Sequence, residues 1–176
     1  MRVEARPIEA MAYAPYGALV SAGEAAAARS ANHGTAAAWD ALAVIESARP
    51  GARCTASLCR CAAHRSPELA IRWLERHAFS TQMFVPMRGA RYLVIVARGG
   101  DAPDLATLAA FVVEGGQAVT YAPGTWHHPM VALDQDADFV NVIFSDGTER
   151  DCDEREYDAP RAVVSVPPPG TREPRR

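Results

Sequence analysis

The chain has 176 residues, 22% of them charged, and a formal net charge of −3. That length suits one domain with a core of its own, and the slight acidic excess argues against a nucleic acid or an anionic membrane surface as partner. Apart from His, every basic residue is Arg, so a lysine Schiff base is excluded and an anionic substrate has to be met by Arg, backbone N–H groups or a metal.

Residues 1–30 are rich in Ala and punctuated by Pro7, Pro15 and Gly17. A short helix is predicted around Ile8 to Tyr13, followed by an exposed Ala-rich loop from Ala22 to Ser30. Ala10 to Val20 is mildly apolar, but Pro15 and Gly17 interrupt it and Glu4 and Glu9 precede it, where an export signal needs positive charge. It reads as mature structure of a cytoplasmic protein. No run approaches the length of a membrane span.

The middle of the chain reads as β. Ala52 to Cys61 alternates small and polar residues, and Ile71 to His77 alternates bulky and polar ones at period two. Gln82 to Pro86 is short and aromatic. Arg91 to Ala97 is a β-branched buried strand between Gly89 and the Gly99-Gly100 pair. Leu108 to Val113 is a further strand, with Asp104 placed to cap a helical turn before it. Gln117 to Tyr121, Met130 to Leu133 and Phe139 to Phe144 complete the set. Strands this short have to hide their edges against one another, which predicts an all-β jelly-roll barrel with a short helical N-terminal extension. Residues 1–166 are expected to form one domain, and 167–176 a frayed Pro/Arg-rich tail.

Cys54, Cys59, Cys61 and Cys152 contain no Cys-x-x-Cys pair, so a zinc ribbon is not expected and reduced thiols are. Chemistry concentrates in two stretches. In the first, Glu75 and His77 point to one face of a strand and Arg76 to the other, with Gln82 and Gly89 following. In the second, Pro123-Gly124 turns the chain and delivers His127 and His128 onto a new strand, which Pro129 confines to an edge or to its start. Adjacent histidines on a strand cannot share a face, so at least one is structural. The spacing from Gly124 favours His127 as the functional one.

These stretches resemble the paired motifs of the cupin superfamily, with Glu75, His77, Gln82 and Gly89 in the first and Gly124 and His127 in the second. The resemblance implies a barrel interior where Glu75, His77, Gln82 and His127 converge. Two imidazoles, a carboxylate and an amide oxygen suit a divalent metal of nickel, manganese or zinc type. No organic cofactor is expected.

Longer strings are more specific. Leu74 to His77, Ser80-Thr81-Gln82 with Phe84 and Pro86, Pro103 to Leu108, Gln117-x-Val119-x-Tyr121, Thr125 to Met130, and Asp138 to Val140 leading to Asp151-Cys152 resemble the ureidoglycolate lyases of allantoin degradation. So do Ala14 to Gly17 and Asn32-x-Gly34. The chain departs from the family after Gly34, where it carries no Arg before Asp40, and at Ile143 to Asp146. The resemblance implies a carbon–nitrogen lyase that splits ureidoglycolate into glyoxylate and urea, acting as a homodimer. It implies His127 or His77 as base or metal ligand, Glu75 as its orienting partner or a ligand, and Gln82 as a donor to the developing carbonyl oxygen. The family pattern implies Arg60 as a contact for the substrate carboxylate. Further candidate substrate contacts are Asn32, His128 and Ser80, whose hydroxyl precedes Gln82. The alternative is a non-catalytic or differently specific cupin that binds a small carboxylate.

Overall fold

The structure, a computed structural model, describes residues 1–22, 28–148 and 151–168. Its organising strand is Tyr92–Gly99. The unbroken apolar run there arises because both faces are covered. Tyr92, Val94 and Val96 enter one core, with Tyr13, Phe84, Phe111, Tyr121 and Phe139. Leu93, Ile95 and Ala97 enter a second core, with Ile71, Leu74, Trp126 and Leu133. Alternation at period two divides one strand between two cores.

Three layers result. The middle layer is the large sheet, ordered Cys152–Glu156, Trp73–His77, Trp126–His127, Tyr92–Gly99, Pro103–Val113 and Arg6–Pro7. Val131–Leu133 also pairs with Tyr92–Gly99, and Pro129 lies in the gap between it and Trp126–His127. A five-stranded sheet faces it across the first core, ordered Leu19–Val20, Ala118–Tyr121, Gln82–Pro86, Ala137–Ser145 and Arg53–Cys61. Arg2–Glu4, Ala162–Ser165 and Glu68–Ile71 form the third layer over the second core. The jelly-roll expectation holds in the form of a sandwich: among the described residues no strand ladder joins the two main sheets into a closed barrel.

The first core is aromatic. Tyr92 meets Phe139 edge-on at 5.1 Å, and Phe111 meets Tyr13 at 5.6 Å. Such pairs contribute about 0.5–1.5 kcal/mol each beyond the area they bury. The helical turn Ala10–Tyr13 forms where a short helix was expected, and it docks Tyr13 and Tyr16 into this core. Gly17 is required there: a Cβ would lie 1.9 Å from the Thr120 carbonyl oxygen.

Three expectations need correction. Ile71 to His77 is not one strand. The chain passes from the outer layer (Glu68–Ile71) to the middle layer (Trp73–His77) at Arg72, because Ile71 and Leu74 both bury in the second core. Asp104 caps no helical turn. It lies within the strand Pro103–Val113, where its side chain accepts from the Ala106 amide at 3.1 Å beside a register shift between Val96 and Arg98. Pairing with Tyr92–Gly99 outweighs the local capping preference. Within the span of the Ala-rich loop, Arg29–Ala31 pairs with Ala36–Ala38 as a separate hairpin. Residues 23–27 of that loop and 169–176 of the tail lie outside the described residues.

Candidate active site

Two outward anchors decide which way the site residues point. On Trp73–His77, Leu74 is fully buried in the second core. Arg76 points the same way, pairing with Asp153 at 2.7 Å and covering the Trp126 ring at 5.0 Å. On Trp126–His127, Trp126 occupies that core too. Period-two alternation then turns Glu75, His77 and His127 toward the space between the main sheets. The ladder sets Glu75 directly opposite His127, and on its other side places Glu154 opposite Glu75 and Cys152 opposite His77. The turn between the motifs is also fixed. Gly124 sits at φ 81°, which favours glycine, and its amide donates to the His77 carbonyl oxygen at 2.8 Å.

Both imidazoles are held by their Nδ1 atoms. His77 Nδ1 is 3.1 Å from the Asp151 carbonyl oxygen, and His127 Nδ1 is 2.9 Å from that of Thr125. A carbonyl oxygen only accepts, so each Nδ1 carries the proton and each Nε2 offers a lone pair. Thr125 is itself secured, its hydroxyl donating to the Tyr16 carbonyl oxygen at 2.8 Å. The two rings lie 5.7 Å apart, and Tyr121 stacks on His127 at 4.1 Å and 12°. His127 Nε2 lies 3.3 Å from Glu75 Oε1, within ion-pair range yet without a hydrogen bond.

Electrostatics follow from this burial. Burial pushes His77 below its ordinary value, and His127 adds to the effect, with Glu75 and Asp151 opposing it. Burial lowers His128 as well. Glu75 would be raised by burial, but contact with His127 and the nearby His77 and His128 hold it below the usual carboxylate range. The Cys152 thiol is pushed up to about 11 by burial, with further contributions from Glu75 and Glu154. It is a neutral thiol at neutral pH.

The ligand atoms of Glu75, His77 and His127 all lie within 4.8 Å of one another. Two bare imidazole nitrogens and an anionic oxygen facing one point form a donor set that fits a divalent cation. Several buried polar atoms nearby have no hydrogen-bond partner: Gln82 Oε1, Tyr121 Oη, Asn141 Oδ1, His127 Nε2 and Asp151 Oδ2. Each such atom costs about 1–3 kcal/mol in a folded protein, so their clustering marks a place kept for function.

Of the residues nominated from sequence, Glu75, His77 and His127 meet at one place, and Gln82 faces the same interior, one ladder position from Tyr121. Among the described residues, Arg60, Ser80 and Asn32 do not join them. Arg60 lies on Arg53–Cys61 between Cys59 and Cys61, which pack toward the core, so it points away, pairing with Asp138 at 2.7 Å at the exposed surface. Ser80 is buried and its hydroxyl is 2.8 Å from that of Ser47. Asn32 turns the separate hairpin that pairs with no strand of the sandwich. His128 lies just past the end of Trp126–His127, its Nδ1 2.8 Å from the Pro129 carbonyl oxygen, and stays near enough to Glu75 and His127 to interact with them electrostatically. Sequence reasoning gave no role to Tyr121, Asn141, Thr125 or Cys152. The strings Gln117-x-Val119-x-Tyr121, Thr125 to Met130 and Asp151-Cys152 hinted at three of them, and nothing in the sequence marked Asn141.

A jelly-roll sandwich that gathers two oriented imidazoles and a carboxylate in its interior defines a small β-sandwich protein with a site suited to acid–base or metal-assisted chemistry. The family model described as ureidoglycolate lyase matches residues 1–164, and the chain belongs to the ureidoglycolate lyase family. The ureidoglycolate lyase of Azotobacter vinelandii is 38% identical over 148 residues, covering 84% of this chain and 87% of that one. That of Pseudomonas fluorescens is 32% identical over 161 residues, covering 92% and 95%. A solved structure of RmlC from Streptococcus suis in complex with dTDP-D-xylose aligns over 53% of this chain and 44% of its own, at 11% identity and a TM-score of 0.34.

Proposed function

We propose that this chain cleaves ureidoglycolate to glyoxylate and urea, with His127 moving the proton. The observation that carries this reading is the buried Nε2 of His127, bare, held by the Thr125 carbonyl at its far side and facing Glu75 across 3.3 Å. Ureidoglycolate has a hydroxyl, a carboxylate and a ureido nitrogen on one carbon. Its breakdown needs one proton taken from oxygen and one given to nitrogen.

The hydroxyl proton passes to His127 Nε2. The O–H electron pair becomes the second bond of the new carbonyl, the C–N bond breaks, and its pair stays on the ureido nitrogen. That nitrogen takes the proton back from His127, so urea leaves and the imidazole is restored. Glu75 stabilises the imidazolium in between, across the same 3.3 Å. His77, kept neutral by burial, presents its Nε2 to the same space. A divalent cation held by Glu75, His77 and His127 would act as a Lewis acid toward substrate oxygens. In that state base duty would fall to a group other than these ligands, and the effect of a chelator distinguishes the two arrangements.

The test is release of glyoxylate from ureidoglycolate by the purified protein, with and without chelator. Absence of glyoxylate under both conditions would refute the reading. A carboxylate binder without catalysis would need no imidazole oriented in this way.

The reaction is placed in the cytoplasm, which the unpaired state of all four cysteines supports. No helix among the described residues is long and apolar enough to cross a membrane. Two copies are proposed to pair through the outer face of the five-stranded sheet. Met83 and Val85 stand there beside Val142 and Val140, and Leu58, 61% exposed, stands opposite Val140. A contiguous apolar face of this kind marks a contact surface. Neither nucleic acid nor membrane is a proposed partner.

A further inference from the structure

We propose that Gln82, Tyr121 and Asn141 form the subsite that recognises the ureido group and so set substrate specificity. This rests on the reading of the chain as a ureidoglycolate lyase and names the part of the site that reads the leaving half of the substrate.

Three observations lead to it. First, the three side chains face one interior. Gln82 is opposite Tyr121 on the neighbouring strand, and Asn141 is opposite Phe84, two residues on from Gln82. Residues opposite on a ladder share a face, as do residues two apart. Phe84 and Tyr121 pack in the first core, so Gln82 and Asn141 look into the same space. Second, each carries a buried polar atom with no hydrogen-bond partner: Gln82 Oε1, Tyr121 Oη and Asn141 Oδ1. Gln82 is 5% exposed and Tyr121 2%. Third, the set adjoins the reacting groups, because the Tyr121 ring stacks on His127 at 4.1 Å.

The chemistry of the set fits a ureido group. Ureido nitrogens donate several N–H bonds in one plane, and the carboxamide oxygens of Gln82 and Asn141 are acceptors. The ureido oxygen needs a donor. Tyr121 supplies one, since its phenolic hydroxyl is a donor and its buried oxygen has no hydrogen-bond partner. A site of buried hydrogen-bonding groups rejects an analogue that leaves them unpaired far more strongly than an apolar pocket rejects a shape. The unpaired atom of Gln82 is an acceptor, so its partner here is a substrate N–H, and the donor role toward the new carbonyl read from sequence is not needed.

The test uses two non-cleavable ligands, ureidoacetate and its isostere succinamate, in which a CH₂ replaces the ureido NH next to the acid-bearing carbon. Calorimetric affinities are measured for the purified protein and for Tyr121→Phe and Asn141→Ala, alongside KM and kcat for ureidoglycolate. The expected result is tighter binding of ureidoacetate than of succinamate by about 10-fold or more. Asn141→Ala should reduce that preference several-fold, and both variants should raise KM more than they lower kcat. Tyr121→Phe keeps the stacked ring, and circular dichroism melting confirms that each variant is folded. Should a variant not fold, the preference measured on the unaltered protein decides. Equal affinity for the two ligands overturns the proposal, as does an unchanged preference in both folded variants. Preference for ureidoacetate without glyoxylate release supports the subsite while refuting the lyase reading. Glyoxylate release with no such preference does the reverse.

Discussion

The Gly124 amide donates a 2.8 Å hydrogen bond to the His77 carbonyl oxygen. Two motifs far apart in sequence are joined there backbone to backbone. The turn at Gly124 starts the strand that carries His127, and His77 ends the strand that carries Glu75. That bond and the Glu75–His127 ladder pairing together set the spacing of the imidazoles, and the glycine matters for its positive φ, since a Cβ there would meet nothing within 4 Å.

Replacing His127 by Gln should lower kcat by about 10²- to 10⁴-fold, the usual share of a positioned acid–base group. Glutamine fills most of the volume beside Tyr121, so the melting temperature should move little. Steady-state kinetics and a thermal melt check both. Near-normal turnover in a folded variant would make His127 structural.

Divalent cations should raise the melting temperature, because a ligand that binds only the native state stabilises it by mass action. Glu75→Ala and His77→Ala should abolish that rise, since each removes one atom of the donor set. Differential scanning fluorimetry with zinc, nickel and manganese reads this without any activity assay. A rise that survives in both variants would place the cation elsewhere.

Stability should fall on acidification below about pH 6.5. His77 and His128 have folded values below the ordinary 6.5, chiefly through burial. In that window the unfolded chain binds more protons than the native one, so lowering the pH favours unfolding. The contribution is complete above the unfolded value and is lost as pH drops through the folded values. Urea unfolding across pH 5 to 8 measures it, and a flat profile would count against neutral buried imidazoles.

Arg60→Ala should leave KM for ureidoglycolate unchanged, because the guanidinium points away from the site and pairs with Asp138 at the surface. A large rise in KM would show that substrate reaches that face.

Leu58→Asp should break the proposed pairing of two copies, since a charge on an apolar contact face is poorly solvated when covered. Sedimentation at several concentrations reads the outcome. An unaltered dimer would move the interface to another surface.

Much was legible in the residues themselves. Period-two alternation in Trp73–His77 put Glu75 and His77 on one face, and the Gly124 spacing singled out His127 over His128. The strand Tyr92–Gly99 could be read as buried from its unbroken apolar run. These are properties of neighbours along the chain, which composition and spacing record directly.

Other features depended on contacts between distant segments. Arg60 looked like a carboxylate binder until Cys59 and Cys61 took the inner face of its strand. Asp104 looked like a cap until Tyr92–Gly99 recruited it into a ladder. Asn141 shows nothing unusual in sequence and Tyr121 only its place in an alternating string, because an unpaired buried atom is defined by what surrounds it. Local pattern determined most of the strands and the alternation along them, and it nominated His127 ahead of His128. Only the tertiary structure decided which faces were buried and which polar atoms went without partners, because burial is a relation between segments and no residue carries it alone.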